Sequence, residues 1–456
     1  MITGRRNLLK AVPVLSVASP GVAAQRAASA SLESRLHEAL NRIEAVNTHE
    51  HIIPEPERLA KPIDFFTLAG HYAINDVVSA GLPAERLAEI NNPDVPAARR
   101  WSLFEPYWNH ARLTGYGQAL RLAIRDIYGL EISGTNLPKI NDAISARNKP
   151  GLYRWILKEK SRIRVSVLDD YWNATPVKPD PDFFVLAHKF DRFITPAARS
   201  EVEQLEKITG VSITSLAGLK QAMEASFRQF VDIGMATVKS TIAYNRELHF
   251  REVSPEAAER DFEALVRGGR PLPERFRRNV ERPFRDLEDH MFHHLMQLAE
   301  SHRMPVQIHT GLHAGNGNFI TNSRPTHLTN LFFLYPRVQF DLFHIGYPYQ
   351  GELSVLAKLF PNVHVDFCWA HIISPTVART ALHEYLETVP ANKIFGFGGD
   401  YRYPELSYAH AVMARANIAR VLAEKTAARF CSEEEAIVLG GMLLHDNPAR
   451  LFLRKS

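Results

Sequence analysis

From Pro305 onward the chain alternates short apolar runs with helical patterns, and most runs finish on a side chain able to bind a proton or a metal ion. Val306-Gln307-Ile308 ends in His309, and Val338–Phe343 ends in His344. Val363–Phe367 is a further run, and Ile394–Phe397 leads through Gly398-Gly399 to Asp400. Helix-period stretches separate them: Thr326–Phe333, Glu352–Phe360, Pro375–Val389 and Tyr408–Phe430, with Glu433–Leu444 closing the chain. Strands that alternate with helices specify a parallel sheet covered by helices.

The same grammar extends upstream. Ile163–Leu168 alternates as a strand and ends in Asp169-Asp170, Phe183–Ala187 is a second short run, and Met235–Val238 ends in Lys239-Ser240. A helix over Leu216–Gly234 stops at its glycine. Earliest of all, a periodic helix from Leu32 to Ile43 leads into Val46-Asn47-Thr48-His49-Glu50-His51. About seven or eight such units predict a (β/α)8 TIM barrel, in which the strand ends gather on one face and form the active site. The barrel spans residues 40–455. A mainly helical insertion after strand 1, about 56–160, carries Trp101, Phe104, Tyr107, Trp108, Tyr116 and Tyr128 and is placed to cover one end. Such aromatics ordinarily serve packing; His71, Asp76, Trp108 and His110 are candidate substrate contacts there.

The 456 residues are 45% hydrophobic and 23% charged, an ordinary globular composition with enough apolar material for a large core. The net charge of +4 owes most to Arg5, Arg6 and Lys10. The near balance elsewhere gives no reason to expect nucleic acid or an anionic membrane as partner. Only Cys368 and Cys431 are present, too few for a disulfide framework. Residues 1–24 read as a basic segment, a short apolar run from Ala11 to Val17 and a small-residue site at Gly21-Val22-Ala23-Ala24. Arg5-Arg6 followed by Asn7-Leu8-Leu9-Lys10 resembles a twin-arginine signal, which implies export to the periplasm or outside the cell, with no membrane attachment once the signal is removed. Six arginines between Arg267 and Arg282, mixed with prolines and acids, read as a solvated face.

His49 and His51, at i and i+2 on a strand, project to one side and can share one divalent metal. His309, His344, Lys239 and Asp400 finish later strands in an order that makes the pair more than two loop histidines. In this arrangement the chain resembles the amidohydrolase superfamily, metal-dependent enzymes on a (β/α)8 barrel with H-x-H on strand 1, Lys on strand 4, His on strands 5 and 6 and Asp on strand 8. Tyr347-Pro348-Tyr349, Leu356–Val363 and the ending Asn447-Pro448-Ala449-Arg450-Leu451-Phe452 are similar to the amidohydrolase-related branch, which includes domains fused to glutamine-synthetase-like enzymes. The sequence departs from the pattern at Asn47, where Asp is commoner, and in Gly399-Asp400-Tyr401-Arg402-Tyr403-Pro404-Glu405.

The resemblance implies a hydrolase with one or two divalent ions, zinc first and manganese as the other candidate, held by His49, His51, Lys239, His309, His344 and Asp400. Catalysis would fall to Asp400, taking a proton from water activated by the metal, and to His344, as a second-metal ligand or a donor to the reacting oxygen. Lys239 would bridge two metals if carbamylated or bind a substrate carboxylate as an ammonium. Tyr244, Arg246, His313 and Arg402 lie just past strand ends and are candidates for contacting a small-molecule substrate. The expected reaction is hydrolysis of an amide, lactone or related C–N or C–O bond. The helical insertion also resembles that of uronate isomerases, and one-metal relatives decarboxylate aromatic acids, so isomerisation and non-oxidative decarboxylation remain alternatives. A non-catalytic periplasmic binding protein is a third, and a homo-oligomer is left open.

Overall fold

The computed structural model describes residues 32–270, 272 and 282–453. The twin-arginine segment lies outside the described residues, as do three of the six arginines from 267 to 282. Arg267 is exposed, as a solvated face requires. Arg282 departs from that expectation: it is buried, and its Nε donates to Glu288 Oε1 at 2.6 Å.

Eight strands form one parallel sheet in consecutive order: β1 (Ala45–Glu50), β2 (Ile163–Asp169), β3 (Phe184–Lys189), β4 (Met235–Ser240), β5 (Val306–Ile308), β6 (Phe340–Leu342), β7 (Val363–Asp366) and β8 (Ile394–Phe395). The first and last edges meet through the backbone. Thr48 N–H donates to Phe397 O at 3.1 Å, Asp400 N–H to His49 O at 2.9 Å, and His51 N–H to Tyr401 O at 3.0 Å. These contacts close the (β/α)8 TIM barrel and pull the segment after β8 against the H-x-H strand. Low down, Val167, Ala187 and Phe395 fill the interior, and Leu451 and Phe452 of the last helix, Asn447–Phe452, plug it.

Strands β5, β6 and β8 are shorter than their apolar runs suggest. His309 follows β5 directly, His344 stands two residues past β6, and Asp400 five past β8. The ends of these runs leave the sheet ladder and turn over the mouth of the barrel, which lets their side chains converge.

Residues 55–160 form the helical insertion, including Ala97–Ala111, Gly115–Tyr128 and Leu137–Arg147. Its apolar side chains make a second core that reaches Phe343, Cys368, Trp369, Tyr401 and Leu406 at the mouth. The insertion therefore caps the same end of the barrel where the strand-end residues gather. Gly115 permits the approach, since a Cβ there would stand 1.9 Å from Ile372 O. A buried ion pair also ties cap to barrel: Arg58 Nη2 lies 2.6 Å from Glu405 Oε1, and Tyr128 donates to the same oxygen at 2.6 Å.

Candidate metal centre

The strand-end residues converge on a cavity of about 470 Å³ at the mouth of the barrel, lined by His49, His51, Lys239, Tyr244, His309, Asp400 and Arg402 among others. His49 and His51 bring their Nε2 atoms to 3.3 Å of each other. Asp400 Oδ1 completes a triangle, 3.2 Å from His51 Nε2 and 3.7 Å from His49 Nε2. Donors held roughly 2.0–2.1 Å from a tetrahedral ion stand roughly 3.3 Å apart, so the spacing fits a cation such as zinc.

The hydrogen bonds behind the imidazoles indicate which nitrogen faces inward. A carbonyl can only accept, so His51 Nδ1–H donates to Asp169 O at 3.1 Å, His344 Nδ1–H to Cys368 O at 2.9 Å, and His309 Nε2–H to Leu312 O at 2.8 Å. The opposite nitrogen of each neutral ring carries a lone pair. His309 Nδ1 and His344 Nε2 thus face each other at 3.1 Å, lone pair against lone pair. His51 Nε2 faces a carboxylate oxygen in the same way. So many acceptors pointed at one another need positive charge between them, and the residues present fit a divalent metal.

Protonation states agree. Burial, with the Lys239 charge and His51 behind it, holds His49 well below the ordinary imidazole range. Burial and His344 do the same to His309, and burial takes His344 down to about 3. Burial works against the charge of Asp400, but the surrounding imidazoles, His51 foremost, keep its carboxyl well below the usual range. Neutral imidazoles and an ionised carboxylate are the forms that bind metal.

Asn47 has a clear role in the fold. Its Oδ1 accepts from Gly399 N–H at 2.8 Å and His49 N–H at 3.3 Å, while its Nδ2 donates to Glu50 Oε1 at 2.6 Å. Glu50 Oε2 accepts from Tyr401 N–H at 2.7 Å, and Ser407 donates to Oε1. The pair clamps the segment carrying Asp400 onto β1. A Cβ at Gly399 would meet Glu50 Oε1 at 1.8 Å, so only glycine fits. Burial pushes Glu50 up to about 8.

Lys239 and Arg402 bring positive charge to the cavity. Lys239 Nζ lies 3.2 Å from the centre of the Phe343 ring and has no hydrogen-bond partner among the described residues. Burial lowers its pKa to about 8. Arg402 Nε is likewise buried without a hydrogen-bond partner. Tyr244 lines the cavity, its ring 4.8 Å from His309 and its hydroxyl accepting from Ala314 N–H at 2.8 Å. His313 stacks on His309 at 5.3 Å, set behind it.

Not every expected contact reaches the cavity. Arg246 lies elsewhere, buried against Glu288 at 3.1 Å and Asp289 at 2.5 Å; an arginine just past a strand was indistinguishable in sequence from one held by acids in a later helix. His71 lines the cavity, whereas Trp108 stacks on Phe104 within the cap and His110 is exposed. Two groups at the site were missed. Asp169 Oδ2 lies 4.0 Å from His49 Nε2 and pairs with Lys189 at 3.0 Å. Cys368, just past β7, groups with His344 and Asp400. Both stand at or just past strand ends, like the other candidates, but neither belongs to a spaced pair such as His49 and His51.

The amidohydrolase family model matches residues 248–454, from the approach to β5 through β8. Protein fluG of Emericella nidulans is 28% identical over 231 residues; the match covers 48% of this chain, and the chain spans about a quarter (26%) of that relative's length. Among solved structures, a uronate isomerase from Thermotoga maritima superposes with a TM-score of 0.76 at 16% identity, covering 92% of this chain and 97% of that one. A protein from Lactobacillus casei described as a metal-dependent hydrolase gives 0.64 at 18% identity, covering 92% and 97%. The chain is thus similar to the amidohydrolase family over residues 248–454, just under half of its length, and shares its barrel fold with these solved structures.

Proposed function

We propose that the protein is a metal-dependent hydrolase of a small carboxylate-bearing substrate, acting on an amide, lactone or related C–N or C–O bond. The observation that carries this reading is the triangle of His49 Nε2, His51 Nε2 and Asp400 Oδ1, with edges of 3.3, 3.2 and 3.7 Å. A divalent ion bound there would acidify water to a pKa of roughly 7 and polarise a carbonyl. Asp400 is placed to accept the proton of the attacking water and return it to the leaving group. Lys239 Nζ and Arg402 Nε, which have no hydrogen-bond partner among the described residues, are placed to hold a substrate carboxylate, and the cap over the mouth limits access of bulk water. The test is an assay of N-acyl amino acids and carboxylated lactones with wild type and Asp400→Asn. Turnover by wild type and none by the variant supports the reading.

One observation favours a second reading. The likeness to the uronate isomerase extends over 92% of the chain, cap included. The same cations would hold a uronate carboxylate while Asp400 moves a proton between carbons. Uronates therefore belong in the assay panel, and ketose formation without hydrolysis would select isomerisation. We also propose that residues 1–24 direct export through the twin-arginine route, which fusion of this segment to a reporter would test.

A further inference from the structure

Asp400 presents its two oxygens to two different sets of donors. Oδ1 faces His49 and His51, while Oδ2 lies 3.9 Å from His344 Nε2. On that second side the donor atoms of His344, Cys368 and Asp400 all lie within 4.8 Å of one another, and all three residues are buried. His309 Nδ1 adds a lone pair 3.1 Å from His344 Nε2. Cys368 is held from both sides of its backbone. Its N–H donates to Asp366 Oδ1 at 2.7 Å, and its carbonyl accepts from His344 Nδ1–H. The same bond that aims His344 Nε2 inward thus fixes the cysteine beside it.

We propose that Cys368 is a metal ligand: its thiolate and His344 hold a second cation, and Asp400 bridges this ion to the one at His49 and His51. The proposal rests on reading the site as a metal centre. It gives the bridge to Asp400, leaving Lys239 against the Phe343 ring as an ammonium for substrate. A thiolate at this position selects zinc over manganese or magnesium, because soft sulfur prefers the softer ion. Binding breaks the S–H bond and forms a metal–sulfur bond; the proton passes to solvent, with no change of oxidation state.

Cobalt(II) reports this chemistry without any need for turnover. Full-length mature protein, stripped of metal and titrated with cobalt(II), is expected to bind two equivalents. The second should bring a near-ultraviolet thiolate-to-cobalt charge-transfer band. Cys368→Ser should lose that band and one equivalent, whereas Cys431→Ser, at the half-buried second cysteine, should keep both. A wild type that binds cobalt without the band overturns the proposal and leaves the metal centre standing. A band that survives in Cys368→Ser, or a variant that keeps both equivalents, overturns it too. A wild type that binds no cobalt overturns the metal centre and the proposal together. If Cys368→Ser does not fold, Cys431→Ser decides the matter: the band must persist there, and its loss overturns the proposal.

Discussion

His344 and Asp400 face each other at 3.9 Å, Nε2 to Oδ2, and each holds its backbone in the left-handed region, with φ of 63° and 61°. Non-glycine residues settle there rarely, and the cost is of order 1–3 kcal/mol each. Here the surrounding ladder imposes it: Asp400 N–H is tied to His49 O, and His344 Nδ1 to Cys368 O. Asparagine tolerates the same backbone. Asp400→Asn should therefore fold with an unchanged melting temperature while turnover falls by about 100-fold or more. Activity within a few-fold of wild type would remove Asp400 from the chemistry.

The clamp between Asn47 and Gly399 makes a prediction about stability. Asn47→Ala leaves the buried Gly399 N–H without its acceptor, at a cost of about 1–3 kcal/mol. Urea denaturation should show the midpoint fall with the slope unchanged. A midpoint equal to wild type would mean that the amide finds another partner.

Arg58 and Glu405 join cap to barrel with both side chains at 0% exposure. Removing one partner strands a buried charge, so Arg58→Ala should cost about 3–5 kcal/mol. The double variant Arg58→Met with Glu405→Leu should recover much of that loss. A single variant as stable as wild type by calorimetry would show that cap and barrel do not depend on the pair.

Acid should destabilise the protein through histidines away from the centre. Burial holds His371 at about 4, with its Nε2–H donating to Gly396 O at 3.0 Å. An unfolded histidine titrates near 6.5, so between pH 6.5 and 4 the unfolded chain binds more protons. Stability from this group is complete above pH 6.5 and is lost as pH falls toward 4, by on the order of 3 kcal/mol. The melting temperature of wild type should drop across that window more steeply than that of His371→Gln. Parallel curves would contradict the assignment.

The fold was legible because each strand of a parallel barrel is buried on both faces and reads as an apolar run. His49, His51, Lys239, His309, His344 and Asp400 could be picked out because each terminates such a run. Arg246 misled because a position just past a strand does not say which way a long side chain turns, and Glu288 and Asp289, some 40 residues later, captured it. Asn47 reads in sequence as a departure from pattern; only the closure of β1 onto the segment after β8 gives it a function. Cys368 is not legible in the same way: a single thiol carries no spacing, and its neighbours His344 and Asp400 come from other strands.

Anomalous diffraction at the zinc edge, from crystals of protein supplied with zinc, tests the centre most directly. A peak is expected between His49 Nε2, His51 Nε2 and Asp400 Oδ1. A map with no peak there, or with zinc bound only away from Asp400, would contradict it.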